Sequence, residues 1–410
     1  MRRTPPPARE FDADDKALAL ACVGARRGVL AGHLQRLAEL PAHGNTKLAA
    51  DQLFLGLLLS FFQPMARSLR LIEGCGDFGG RLDLSRLARS TTSDALAAFD
   101  PHHLRPLIDD LQRRCPQLRH LDGDLAGITR RIIAADGTYL TTLADIAWAL
   151  HHTKSDGRTQ GQVRANVQLD VNNWVPQVIS VSGDDGESEA AAFAKDLLSG
   201  VLYVVDRNFV DFSFLDALLV RGNDLVLRVK SDKPAMRMIG KLPVTAADLQ
   251  AGVVADELVE LTGRGAPAGT FRLVTIITTD RHGKSEKIRL LSNLIDASVV
   301  AAHVIGAAYR LRWQIELFFK WLKCFARMDH LLSASRRGIT TQLYVAVIAV
   351  LLMYIQSGKR VSIYALAALS QVANGQMTMQ QAMEVIARRQ RERELSRARQ
   401  ARRRARKKLA

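Results

Sequence analysis

The stretch VLYVVDRNF, Val201–Phe209, runs five apolar residues directly into an aspartate. Such a short apolar run, closed by polar residues, predicts a buried strand that carries Asp206 at its end. Upstream, Ile132–Ala135 predicts a second short strand, ending in Asp136-Gly137-Thr138. Between the two, Val163–Val171 (VRANVQLDV) alternates with period two, and Val175–Ser182 (VPQVISVS) follows across Asn172-Asn173-Trp174. That pair reads as a hairpin, and Ser188–Leu198 as a helix. A helix over about Phe212–Val220 and a strand over Leu225–Lys230 come next. A crossover leaves the strands it joins parallel. Asp136 and Asp206 are therefore expected at the same sheet end, where ligand and catalytic groups gather. Two carboxylates held together repel unless a cation sits between them, and hard oxygen donors suit Mg²⁺ or Mn²⁺. Either acid alone is ambiguous, because an Asp ending a strand also serves as a turn residue or helix cap. Asp122, Asp124, Asp170, Asp184 and Asp185 are loop-borne or lie outside a buried strand end, and are set aside.

Downstream, Tyr309–Lys323 reads YRLRWQIELFFKWLK, without Gly or Pro. It predicts one continuous helix. At about 100° per residue, Tyr309, Arg312, Glu316, Lys320 and Lys323 fall within an arc of roughly 80°. Leu311, Ile315, Phe318, Trp321, Leu322 and Phe325 crowd the opposite side and predict a core stripe. A solvated face on an ordinary amphipathic helix is the plain alternative. Against it stand a lone acid among three cations and Trp313, about 60° round from Arg312 on the edge of the polar arc.

The spacing Tyr-x2-Arg-x3-Glu-x6-Lys resembles the signature of bacterial insertion-sequence transposases of the insertion sequence 4 type, members of the DDE class. Tyr309, Arg312, Glu316 and Lys323 match all four positions. The contexts of Asp136 and Asp206 resemble the first and second acids of that family. Asn208-Phe209 departs from the Gly and Tyr more usual there and leaves the acid in place. Ser292-Asn293-Leu294 resembles the family's Thr-Asn-Leu. The order strand, hairpin, helix, strand, helix, strand is that of a ribonuclease H-like sheet. The resemblance covers about residues 132–326.

It implies an α/β fold with a ribonuclease H-like catalytic core and a β-rich insertion, preceded by an all-helical N-terminal domain and followed by C-terminal helices. Asp136, Asp206 and Glu316 would be catalytic and hold two divalent ions, Mg²⁺ or Mn²⁺. Arg312, Lys320 and Lys323 would clamp phosphates, and Tyr309 would hydrogen-bond one. Trp313 would stack on a displaced base or pack at the core edge. The family's activity would be cleavage at element ends and joining to target DNA, with double-stranded DNA held by a synaptic homodimer. A metal-dependent nuclease of the same fold and a non-catalytic DNA-binding descendant remain as alternatives.

Composition agrees with a nucleic-acid partner. The 410 residues carry a net charge of +16 and a pI of about 10.1, which calls for a polyanion. Arg388–Lys408 holds twelve Lys/Arg against two Glu, a net +10 that leaves +6 for the rest. Cys22, Cys75, Cys115 and Cys324 show no paired spacing, which argues against disulfides or zinc and for a reducing cytosol. MRRTPPPARE lacks a signal peptide's apolar region. The longest apolar run, Leu343–Ile355, has 13 residues, short of the roughly 20 needed to span a bilayer. No membrane span and a cytoplasmic, nucleoid-associated location are therefore expected. The expected segments are a helical DNA-binding domain (1–125), a catalytic domain (126–335, insertion about 231–295), C-terminal helices (336–387) and a basic tail (388–410). Within the first, Ser85–Asp100 reads as a helix-turn-helix candidate, its second helix about Thr92–Phe99 and capped by Ser90 or Thr92.

Overall fold

The computed structural model describes residues 29–41, 48–62, 68–74, 87–115, 125–142, 146–153, 159–183, 186–230, 233–279, 285–324, 328, 330–357, 367–368, 371–372 and 376–409. Asp122, Asp124, Asp184 and Asp185 lie outside these residues. The chain gathers into two compact units, residues 117–323 and residues 1–116 with 324–410. The N-terminal and C-terminal helices, expected as separate segments, share one unit because they pack on each other.

In the 117–323 unit the elements are β1 (Ile132–Thr142), β2 (Leu150–Thr153), β3 (Thr159–Asp170), β4 (Val175–Ser182), α1 (Glu189–Ala194), β5 (Leu202–Val205), α2 (Phe212–Val220), β6 (Asp224–Val229), β7 (Met236–Lys241), α3 (Ala246–Gln250), β8 (Val253–Leu261), β9 (Thr270–Thr279), β10 (Ser285–Ser292), α4 (Ala302–Arg310) and α5 (Trp313–Cys324). One sheet runs β2-β3-β1-β5-β6-β10-β9-β8-β7, with β4 on β3 beside β2. β1, β5 and β6 are parallel, and β3 and β4 form the expected antiparallel hairpin. Val201–Val205 is fully buried, which is why it reads as an unbroken apolar run. Ile133, Ala135, Tyr203, Val205, Phe209, Phe214, Leu215 and Leu227 share the core cluster under α1 and α2.

Two expectations are corrected, and the region expected to be β-rich at about 231–295 holds β7–β10. β1 does not end at Asp136; it continues to Thr142 because its antiparallel pairing with β3 carries on, Asp136 opposite Val167 and Thr142 opposite Gly161. The region 231–295 is continuous with the catalytic sheet: β10 pairs with β6, Ser292 opposite Val226. Asn293 and Ser292 stitch this junction. The Asn293 Oδ1 accepts from the Leu225 amide (2.8 Å), and the Ser292 hydroxyl donates to the Leu225 carbonyl (2.7 Å). Finally, Tyr309–Lys323 is two helices. The amides of Leu311, Arg312, Gln314 and Ile315 bond back only three residues, at 2.9 to 3.1 Å, so a tight turn separates α4 from α5.

The other unit is helical. Ala31–Ala38, Ala50–Phe62, Arg89–Ala98 and Arg105–Arg114 contribute buried Leu and Ile faces, and Arg336–Ser357 packs among them. This last helix alone, among the described residues, is long and apolar enough to cross a membrane, and 83% of its apolar window is buried within the protein. The Arg105 Nε donates to the Tyr344 hydroxyl at 3.0 Å, tying it to the N-terminal helices. Ser90 and Thr92 are not caps. The helix begins at Arg89, and Thr92, buried, donates its hydroxyl to the Ala88 carbonyl at 2.9 Å. The tail belongs to one helix, Met379–Leu409.

Candidate active site

Ala135 and Val205 form the last parallel pair of β1 and β5. Asp136 and Asp206 follow on the two neighbouring strands, so register alone delivers both carboxylates to one edge. One Asp136 oxygen accepts from the Gly137 amide at 2.9 Å. One Asp206 oxygen accepts from the Arg207 amide at 2.7 Å and caps the short turn Arg207–Phe209. Asp206 thus performs the capping role that its position also suggested.

The third acid arrives through packing. Asn172-Asn173-Trp174 turns the β3–β4 hairpin with Trp174 at φ 58, and the Asp170 carboxylate holds the turn through the Asn172 and Asn173 amides, both at 3.1 Å. The buried Trp174 ring meets Phe318 at 5.4 Å and Trp321 at 6.4 Å, both edge-on. These contacts anchor the core stripe of α5 and leave Glu316 in its first turn, where the helix dipole favours a carboxylate. Arg312 then joins the acids. Its guanidinium donates to Glu316 at 2.5 Å and to Asp136 at 3.3 Å. Among the described residues, no three His, Cys, Asp or Glu side chains are gathered closely enough to enclose an ion as they stand; the guanidinium bridges the acids instead.

The break at residues 311–312 redistributes the predicted polar arc. Tyr309 is buried at the end of α4, its hydroxyl without a hydrogen bond, and the Arg312 guanidinium lies 5.9 Å from its ring centre. Trp313 is 56% exposed, which settles it as a surface side chain rather than a core-edge one. Lys320, exposed, and Lys323 follow Glu316 along α5 at spacings that keep them on its side of the helix.

Two neighbours were not singled out from sequence. Glu189, the first residue of α1, and Arg164 on β3 both lie against Gly137; a Cβ there would stand 2.5 Å from the Glu189 Oε1 and 3.0 Å from the Arg164 Cδ. Burial, then the charge of Glu189, pushes the Asp136 carboxyl up to about 7, with Arg312 and the Gly137 amide opposing and Asp206 adding to the rise. Burial also raises Glu189, opposed by Arg164 and then by the Gly137 amide. The one local trace is Gly137, which the pairing with β3 places inside β1, and a glycine within a strand marks close approach of another group.

Carboxylates brought side by side by the parallel β1–β5 pair of a mixed sheet, with a further acid carried on a helix and a guanidinium between two of them, define a class suited to phosphoryl chemistry. The sequence profile of the "Transposase DDE domain" family matches residues 127–352, and the chain belongs to that family. A Sinorhizobium fredii protein named as transposase y4zB is 26% identical over 299 residues, 69% of this chain and 78% of its own. A Synechocystis protein named for insertion sequence element IS4SA is 26% identical over 73% of this chain and 79% of its own. A Geobacillus stearothermophilus protein named for IS5377 is 24% identical over 53% and 55%. The cryo-EM structure of the piggyBac transposase synaptic complex with hairpin DNA aligns with 92% of this chain and 79% of its own at TM-score 0.39 and 12% identity, too slight a likeness to argue from.

Proposed function

We propose that this chain is a transposase of the insertion sequence 4 type, which cuts double-stranded DNA at the ends of its mobile element and joins those ends to target DNA. The observation that carries the reading is the register of β1 and β5, which sets Asp136 and Asp206 side by side, with Glu316 linked to Asp136 through Arg312. The order of β4, β3, β1, β5 and β6, with α1 and α2 as crossovers, supports a ribonuclease H-like core.

The donor set suits a divalent ion: carboxylate oxygens throughout, among them a buried Glu189 oxygen without a well-formed hydrogen bond. Asp136, Asp206 and Glu316 would hold Mg²⁺ or Mn²⁺. When bound, two such ions would activate a water or a DNA 3′-hydroxyl and stabilise the leaving oxygen. The chain's own groups do the positioning. Arg312 neutralises Asp136 and Glu316, and a DNA phosphate offers its planar fork a competing bidentate partner. Lys320 and Lys323 supply point charges along the scissile strand. The exposed Trp313 offers a face on which any base can stack. Tyr309 backs Arg312 with its ring. The basic tail adds phosphate contacts without sequence preference. The active assembly would be a homodimer on two element ends, working in the bacterial cytoplasm.

The test is a plasmid carrying the gene's native flanking DNA, incubated with purified protein and Mg²⁺. Wild type should excise and rejoin DNA, and Glu316→Gln should bind the same DNA without reacting. Cutting without joining would replace the reading with a nuclease. Loss of DNA binding in Glu316→Gln would refute the division of roles.

A further inference from the structure

Glu189 has a side chain that the three-acid reading does not use. Ser188 already caps α1, its hydroxyl accepting from the Ala191 amide at 3.1 Å, so the helix start does not need Glu189 as a cap. A carboxylate in the first turn would serve the helix dipole equally well in solvent. Instead its Oε1 is buried without a well-formed hydrogen bond, the Gly137 amide beside it being directed to Asp136 at 2.9 Å. Arg164, also packed against Gly137, favours the charged carboxylate, but its Nε–H goes to Asn166 at 2.9 Å. On the other side stands the Asp136-Gly137 backbone, approachable only because residue 137 has no Cβ. A buried carboxylate oxygen without a donor is destabilising, and this one is held beside a second carboxylate. A cation shared between the two removes both penalties.

The geometry points to Glu189 as a fourth carboxylate of the ion-binding edge, facing the same divalent cation as Asp136. Glu189 then acts as a positioning residue that fixes where the ion sits on the Asp136 side. This rests on the reading that Asp136, Asp206 and Glu316 bind divalent ions, and the test separates the two.

The full-length protein, free of DNA, is titrated with Mn²⁺ and the free ion followed by electron paramagnetic resonance. Melting in EDTA is measured in parallel. Glu189→Gln should weaken Mn²⁺ binding at least tenfold while melting in EDTA at or above the wild-type temperature, because it removes a repelling charge. Gly137→Ala, which keeps every charge but displaces the Oε1, should weaken Mn²⁺ as well. Wild-type Mn²⁺ affinity in both variants, with loss in Asp136→Asn, would overturn the role of Glu189 and leave the three-acid site standing. A Glu189→Gln protein that melts well below wild type in EDTA would overturn it too, marking a structural carboxylate. Failure of the wild type to bind Mn²⁺ would overturn the three-acid site and this inference together.

Discussion

Asparagine in place of Asp136 should make the metal-free protein more stable, and increasingly so as pH rises. The folded Asp136 carboxyl titrates near 7 against an ordinary value of 3.8, through burial first and Glu189 second. Its folded value is the higher one. The folded state therefore holds a proton that the unfolded chain has already released between the two values. Stability from this group is complete below about pH 4 and is lost as pH climbs through about 7, the reverse of a salt-bridged aspartate. Each pH unit in that window costs about 1.4 kcal/mol, so three units amount to about 4 kcal/mol. The asparagine side chain has the same shape and no charge, and escapes the loss. Urea unfolding in EDTA should show Asp136→Asn exceeding wild type by about 1–2 kcal/mol at pH 5 and by about 4 kcal/mol at pH 8. Added Mg²⁺ should restore the wild type at pH 8 and leave the variant unmoved. A difference that stays constant between pH 5 and pH 8, or a variant less stable throughout, would refute the crowding of carboxylates at this edge.

Two further outcomes follow from features away from the acids. Arg272 is fully buried on β9 and makes a two-point ion pair with Asp256 at 2.8 and 2.6 Å. Arg272→Met leaves Asp256 unpaired and should lower unfolding stability by roughly 3–5 kcal/mol, measured by urea titration; a loss under about 1 kcal/mol would mean that Asp256 finds another partner. Removing residues 388–410 takes away a net charge of +10, counting the same twelve cations and two acids. DNA affinity should fall and the slope of its logarithm against log salt should flatten, by about 0.9 for each phosphate that the tail neutralises; an unchanged slope in a filter-binding series would exclude the tail from the interface.

The parts of this site differ in how plainly the sequence spelled them, and the differences have physical causes. β5 was legible because both its faces are buried, so every residue had to be apolar up to the acid. Asp136 was found for the same reason, yet its strand was cut short. The parallel partner stops at Val205 while β3 carries the pairing on, and register between distant strands leaves no mark on a local run. The helix carrying Glu316 was legible from its core stripe, and Ile315, Phe318, Trp321 and Leu322 are all buried. Its extension back to Tyr309 misled because the wheel assumes one axis. The turn at Leu311-Arg312 starts a second axis, which takes Tyr309 out of the polar arc and lets Arg312 reach both acids. Glu189 was hidden most completely, since a Ser-Glu pair at a helix start already has a sufficient local explanation in capping and the dipole. What distinguishes it is its approach to a strand far upstream in the chain, visible in the sequence only as Gly137. Glycine weakens a strand interior, so a strand that keeps one beside an acid implies a neighbour that no Cβ would admit. In this sheet that neighbour is a second carboxylate.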